Sequence, residues 1–221
     1  MAADLSDIVG SEEREHLLDA LAELIAKRGW QQLVLAPVVL PTARFFPDRW
    51  TPDAAGVWCV AKRLLRYAGL DALELQLEMF DDAAAVARDS GGLVHATAHT
   101  SAAAWFAGID DGVCYFGANT TELDDGLGVA ASMAHESAHA YRHAHALEID
   151  DRDVEEQLTD LTAVFLGFGV LVANAASRHR SWNPGGDVFV SARTYRSLGY
   201  LSCASFSSRS SSRRRWERRP P

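Results

Sequence analysis

Hydrophobic positions along this chain change their period several times, and each change predicts a different element. Ser11 stands before Glu12 and Glu13, an N-cap residue followed by acids near the positive end of a helix dipole. That helix is expected to run to about Arg28, where Gly29 suits a left-handed stop. The stretch "LVLAPVVLPTARFFPDRW" holds three prolines, which predicts extended and loop segments. Thr51 and Pro52 read as a cap followed by proline at the first helical position. Val57, Trp58, Ala61, Leu64, Leu65 and Ala68 then recur at helical spacing up to Gly69.

Beyond Gly69 the period drops to two. "LELQLEM" (73–79) alternates apolar and polar residues, as a strand with one buried face does. "LVHATAHT", "AAWFAGI" and "GVCYFGAN" follow, separated by Gly- and Asp-rich turns, and Asp-Asp-Gly between the last two is a hairpin signal. Residues 73–119 therefore predict a small, mostly antiparallel sheet. Helical spacing then returns twice, over about Leu127–Leu147 and from near Asp153 to about Asn174. Strands followed by helices describe an α+β domain. The expected organisation is an N-terminal helical and loop region (1–72) packed on a core (73–200), then a Ser/Arg-rich tail (201–221).

Composition narrows the class. The 221 residues are 48% hydrophobic and carry a net charge of −9, enough for about one ordinary domain with a core. From Ser205 to Pro221 there are six Arg and one Glu, so the remainder carries −14. An acidic body argues against nucleic acid as its partner. The tail is too poor in apolar residues to pack and predicts disorder. It reads equally as an out-of-frame ending that replaces a packed helix or as a genuine solvated tail. Cys59, Cys114 and Cys203 are odd in number and far apart, which disfavours disulfides or a thiolate zinc site. The start lacks the order of a secretory signal, and the longest apolar runs fall short of a membrane span. These features predict a soluble, cytoplasmic protein.

The chemistry concentrates in "HESAH" (135–139). His135 and His139 lie one turn apart on one helix face and can present two imidazoles to one ion. Glu136 is rotated by about 100°, beside that ion and placed to take a proton from a water the metal activates. A catalytic zinc site needs a third protein ligand. His143 continues the same face, but three such histidines span about 12 Å, too far for one ion. His145 occupies the last position of the longer H-E-x-x-H-x-x-G-x-x-H pattern, yet Arg142 stands where that pattern needs glycine. No methionine follows Met133, so the methionine turn of that pattern is missing too. "EEQLTD" offers acids instead, with Glu156 and Asp160 at i, i+4. The structural alternative for Glu156 is a capping-box position three residues after Asp153. Asp160 and Glu155 remain rival third ligands.

With these residues in place, the sequence resembles the gluzincin branch of zinc peptidases, the thermolysin-like H-E-x-x-H…E-x-x-x-D type. The resemblance covers about residues 73–174 and is specific at His135, Glu136, His139, Glu156 and Asp160. It implies a zincin-like fold with Zn²⁺ held by His135, His139 and Glu156. It further implies Glu136 as general base and Asp160 hydrogen-bonded behind His135. It also implies an edge strand ahead of the motif helix, here "GVCYFGAN", that takes an extended peptide substrate by strand addition. The expected activity is zinc-dependent amide hydrolysis, most readily of peptides. The alternative is a zinc-binding regulatory or interaction module without peptidase activity. An oxyanion donor has to come from elsewhere; His179, Arg193, Tyr195 and Tyr200 lie downstream, and His95 and His99 upstream.

Overall fold

Helical spacing becomes packing most directly in the helix over Ala54–Tyr67. Val57, Ala61, Leu64 and Leu65 are buried along one stripe, while Trp58 stays 43% exposed. Its N-cap is Asp53, two residues later than the Thr51–Pro52 signal placed it. The Asp53 carboxylate accepts from the Gly56 N–H at 2.9 Å, and the Thr51 hydroxyl donates to the same oxygen at 2.8 Å. Thr51 thus supports the cap rather than being it.

The computed structural model describes residues 11–81 and 103–176. Within them the order is α1 (Ser11–Arg28), α2 (Trp30–Leu35), α3 (Ala54–Tyr67), β1 (Glu74–Phe80), β2 (Ala104–Asp110), β3 (Val113–Asn119), α4 (Gly126–Ala144), α5 (Arg152–Phe165) and α6 (Gly169–Ala176). The strand expected over 93–100 and the Ser/Arg-rich tail lie outside the described residues. Part of the proline-rich stretch departs from the loop expected of it, since Leu33–Leu35 close the short helix α2. The architecture is α+β, a three-stranded sheet with helices packed together around one core.

The sheet corrects two expectations. Its order is β1-β3-β2, with β1 parallel and β2 antiparallel to β3, so it is mixed rather than mostly antiparallel. β2 and β3 form the expected hairpin, with Asp111 (φ 44°) and Gly112 (φ 78°) in the positive-φ region such tight turns require. β3 is therefore the central strand, paired along its length on both sides, and "GVCYFGAN" offers no free edge for strand addition. Among the described residues the edges are β1 and β2. The alternation in "LELQLEM" gave the right face for β1 but not its neighbour, because partner choice depends on the chain between strands.

β3 and α4 meet in the core. Cys114, Phe116 and Ala118 pack in one cluster with Val57 and Leu64 of α3, with Met133, Ala134, Ala138 and Tyr141 of α4, and with Phe165, Phe168 and Val172 around α5 and α6. Leu17 and Leu24 of α1 belong to the same cluster. The single helix expected from Asp153 to Asn174 is two. α5 stops at a turn in which the Phe168 N–H bonds the Ala163 carbonyl and the Gly167 N–H bonds that of Val164, Gly167 having φ 92°. Val39 uses that bend, donating its N–H to the Gly167 carbonyl at 2.9 Å.

α4 ends the same way, with bonds from Leu147 to Arg142 and from Ala146 to His143. Ala146 carries φ 49°, where a Cβ is strained. Immediately before it sits a buried guanidinium. Arg142 donates from Nε and Nη2 to the two Glu155 oxygens at 2.7 and 2.8 Å and from Nη2 to the Leu147 carbonyl at 2.7 Å. Glu155 also accepts from the Ile149 N–H at 3.1 Å. One fork thereby fastens α4, the connecting loop and α5 together.

Arg142→Met should lower the unfolding free energy by about 1–3 kcal/mol in urea denaturation, because it leaves the partly buried Glu155 carboxylate without its main partner. Ala146→Gly should raise it by about 1 kcal/mol by relieving the left-handed backbone.

Candidate metal centre

α4 and α5 present their polar residues to each other. On α4 the interval from His135 to His139 places both imidazoles on the face toward α5. α5 is started by Asp151, whose carboxylate accepts from the N–H groups of Asp153 and Val154. The N-cap therefore lies two residues before Asp153, Glu156 falls outside the capping-box position, and its side chain turns to the histidines instead.

His135 Nε2 is 3.1 Å and His139 Nε2 3.4 Å from the same oxygen, Glu156 Oε2. These three donor atoms lie within 4.8 Å of one another. Tetrahedral zinc holds nitrogen and oxygen ligands at about 2.0–2.2 Å, which puts ligand atoms about 3.3 Å apart. Two of the donor separations match that spacing and the third is no more than 4.8 Å, so this group could hold a zinc ion. Both histidines are also bonded from behind. His135 Nδ1 is 2.9 Å from Asp160 Oδ1, and His139 Nδ1 is 3.2 Å from Thr159 Oγ1. Asp160 and Thr159 are wholly buried.

Glu136 is almost buried and stands outside the donor triangle. Burial raises its pKa above the usual carboxylate value, opposed by the nearby His135 and His139 and by a hydrogen bond from the Phe106 N–H. Phe106 sits on β2 beside a bulge, where the register steps from Phe106↔Phe116 to Gly108↔Tyr115 and leaves Ala107 as the extra residue. Bulges turn backbone groups out of the ladder, and here the neighbouring N–H serves a carboxylate.

The other sequence candidates go elsewhere. Glu155 is held by Arg142, and Asp160 is turned to His135 Nδ1. His143 bonds Glu148 at 2.8 Å and packs edge-on against Phe106. His145 meets Arg28 at 3.1 Å and the Tyr141 ring at 4.3 Å. His95, His99, His179, Arg193, Tyr195 and Tyr200 lie outside the described residues. A cavity of about 440 Å³, lined in part by Phe46, Trp50, Cys59, Val60, Leu127 and Ala130, abuts the start of α4. Ala130 is five residues from His135, a rotation of about 140°, so that cavity opens on the far side of the helix from the histidines.

Sequence reasoning missed Thr159 and the Phe106 N–H. Thr159 shares the helical face of Glu156 and Asp160 and was open to detection by that spacing. The Phe106 amide was not, since a backbone N–H carries no residue signature. Comparison of the chain with protein-family models, curated proteins and solved structures found no match.

The metal-free centre holds a proton. Burial disfavours a charged His135, but hydrogen bonds to Asp160 and Glu156 outweigh it and raise its pKa to about 10. Burial likewise disfavours a charged Glu156, yet hydrogen bonds from His135 and His139 hold its pKa well below the carboxylate range. A folded-state pKa raised from 6.5 gives stability that is complete below about pH 6.5 and lost as pH climbs through about 10. Thermal unfolding of the metal-free protein should therefore show a melting temperature that falls from pH 7 to pH 10. Ligation needs a neutral imidazole. Zinc titrated calorimetrically at pH 7 in buffers of different ionisation enthalpy should accordingly release about one proton, with affinity rising toward pH 10.

Proposed function

We propose that this protein is a zinc-dependent hydrolase that cleaves amide bonds, with peptides as the favoured substrates. The observation that carries the reading is the convergence of His135 Nε2, His139 Nε2 and Glu156 Oε2, with the Glu136 carboxylate buried beside them. His135, His139 and Glu156 would hold the metal. Bound zinc supplies a Lewis acid that acidifies water and polarises a carbonyl.

The remaining work belongs to the chain. Asp160 and Thr159 leave the Nε2 atoms of both histidines facing the same point. Glu136 takes the proton from the attacking water and returns it to the leaving amine. A carboxylate whose proton affinity is raised by burial is better matched to both halves of that task than an ordinary one. The Phe106 N–H fixes one direction of approach to it.

The substrate reading rests on the sheet. Among the described residues β2 is an edge strand beside α4, and the Phe106 amide on it acts on Glu136. An extended peptide adding to that edge by main-chain hydrogen bonds would run past the base and the donor triangle. β2 thus takes the role first assigned to "GVCYFGAN".

Elemental analysis of purified protein should find about one zinc per chain, lost in both His139→Ala and Glu156→Ala. Zinc lost only with His139→Ala would move the third ligand to another acid, and no metal in the wild type would end the reading. Glu136→Gln should keep the zinc and lower hydrolysis of a peptide panel by about 10²–10⁴-fold. A zinc-dependent partner interaction that survives Glu136→Gln, with no hydrolysis by the wild type, would identify a binding module instead.

A further inference from the structure

A threonine in the middle of a buried helix face calls for a reason. Thr159 is wholly buried on α5, and valine has nearly the same shape without a hydroxyl to desolvate. Burying a hydroxyl is unfavourable unless it is hydrogen-bonded. The partner here is His139 Nδ1, at 3.2 Å.

We propose that Thr159 is a positioning residue for His139, holding its ring orientation and accepting its Nδ1 proton whenever Nε2 is free to bind metal. The proposal rests on the zinc-centre reading above. Neutral imidazole carries one proton, on either Nδ1 or Nε2. His139 Nε2 faces Glu156 Oε2 at 3.4 Å, and it ligates only when it bears no proton. The proton then resides on Nδ1, where the Thr159 oxygen accepts it.

The two histidines are not supported alike. Behind His135 stands the Asp160 carboxylate, which only accepts and so enforces a proton on Nδ1. Behind His139 stands a hydroxyl, which can accept from Nδ1 or donate to it. Asp160 dictates a tautomer; Thr159 permits the ligating one and holds the ring plane. Consecutive residues of α5 thus serve histidines one turn apart on α4, and His139 is the more loosely held arm of the site. Metal release should begin with its departure.

The test pairs Thr159→Val, which keeps the volume and removes the hydroxyl, with Thr159→Ser, which keeps the hydroxyl. Zinc dissociation constants come from competition with a chromogenic chelator, and release rates from transfer to excess chelator. The visible spectrum of the cobalt-loaded protein reports ligand geometry, and nitrogen-15 NMR of the metal-free His139 ring reports its tautomer. Thr159→Val should weaken zinc binding by about 10–100-fold, speed its release, and alter both spectra. Thr159→Ser should stay close to wild type in all four. Urea midpoints measured on the metal-free proteins separate this effect from general destabilisation. Thr159→Ala against Thr159→Ser provides the same contrast should the valine variant fail to fold. Zinc affinity, cobalt spectrum and tautomer all unchanged in Thr159→Val would overturn the proposal while leaving the zinc centre intact. A wild type that binds neither zinc nor cobalt would instead overturn the centre itself.

Discussion

Polar side chains buried between two helices constrain this structure more than any other feature. A polar group out of water must find a partner, and His135, His139 and Arg142 of α4 find theirs on α5 or the loop joining the two helices. Asp160 reaches His135, Thr159 reaches His139, and Glu155 with the Leu147 carbonyl absorbs Arg142. Sliding one helix by a turn along the other would break all of these together. The interface is thereby fixed in register, and the donor triangle inherits that register without any contact made for its own sake.

Charge holds the cluster together. A proton on His135 lets one imidazolium bridge the carboxylates of Glu156 and Asp160 and offsets one of their two charges. A metal held by this cluster would compete with that proton, coupling the stability of the folded chain to both. The carboxylate that does not join this cluster, Glu136, is kept close to it by burial and by the amide of an edge strand. Its environment thus differs from those of the other three acids on these two neighbouring helices.

Elements whose signals are local were legible in the sequence. The C-terminal end of α1 and the stripe of α3 follow from residue spacing, and the β2–β3 turn from Asp111 and Gly112. Cap positions were off by two residues at both α3 and α5, because Asp53 and Asp151 compete with neighbouring cap formers and the winner depends on where the chain enters the helix. The break between α5 and α6 was hidden because "LGFGV" is apolar throughout, and glycine at 167 reads as permitted until the backbone turns there. At the candidate metal site, His135, Glu136, His139, Glu156 and Asp160 carry side-chain identities at telling intervals and could be singled out together. Arg142, in contrast, was noticed only as an obstacle to another pattern, and its buried fork with Glu155 emerged from packing.

What the sequence determined by itself is a set of faces: which side of each helix is apolar, which carries imidazoles, which carries acids. Periodicity within one element suffices for that, since residues three or four apart share a helix face whatever lies opposite. Which faces meet was decided only by the tertiary structure. The chain places β1 beside β3 in parallel and, among the described residues, leaves β2 at an edge, a choice made by the path between strands. It also brings the Phe106 amide to Glu136 and the Thr159 hydroxyl to His139. Those contacts join residues distant in sequence, and one partner in each was either a backbone group or a common helix residue. Nothing in the order of amino acids marks such a group until folding sets it against its partner.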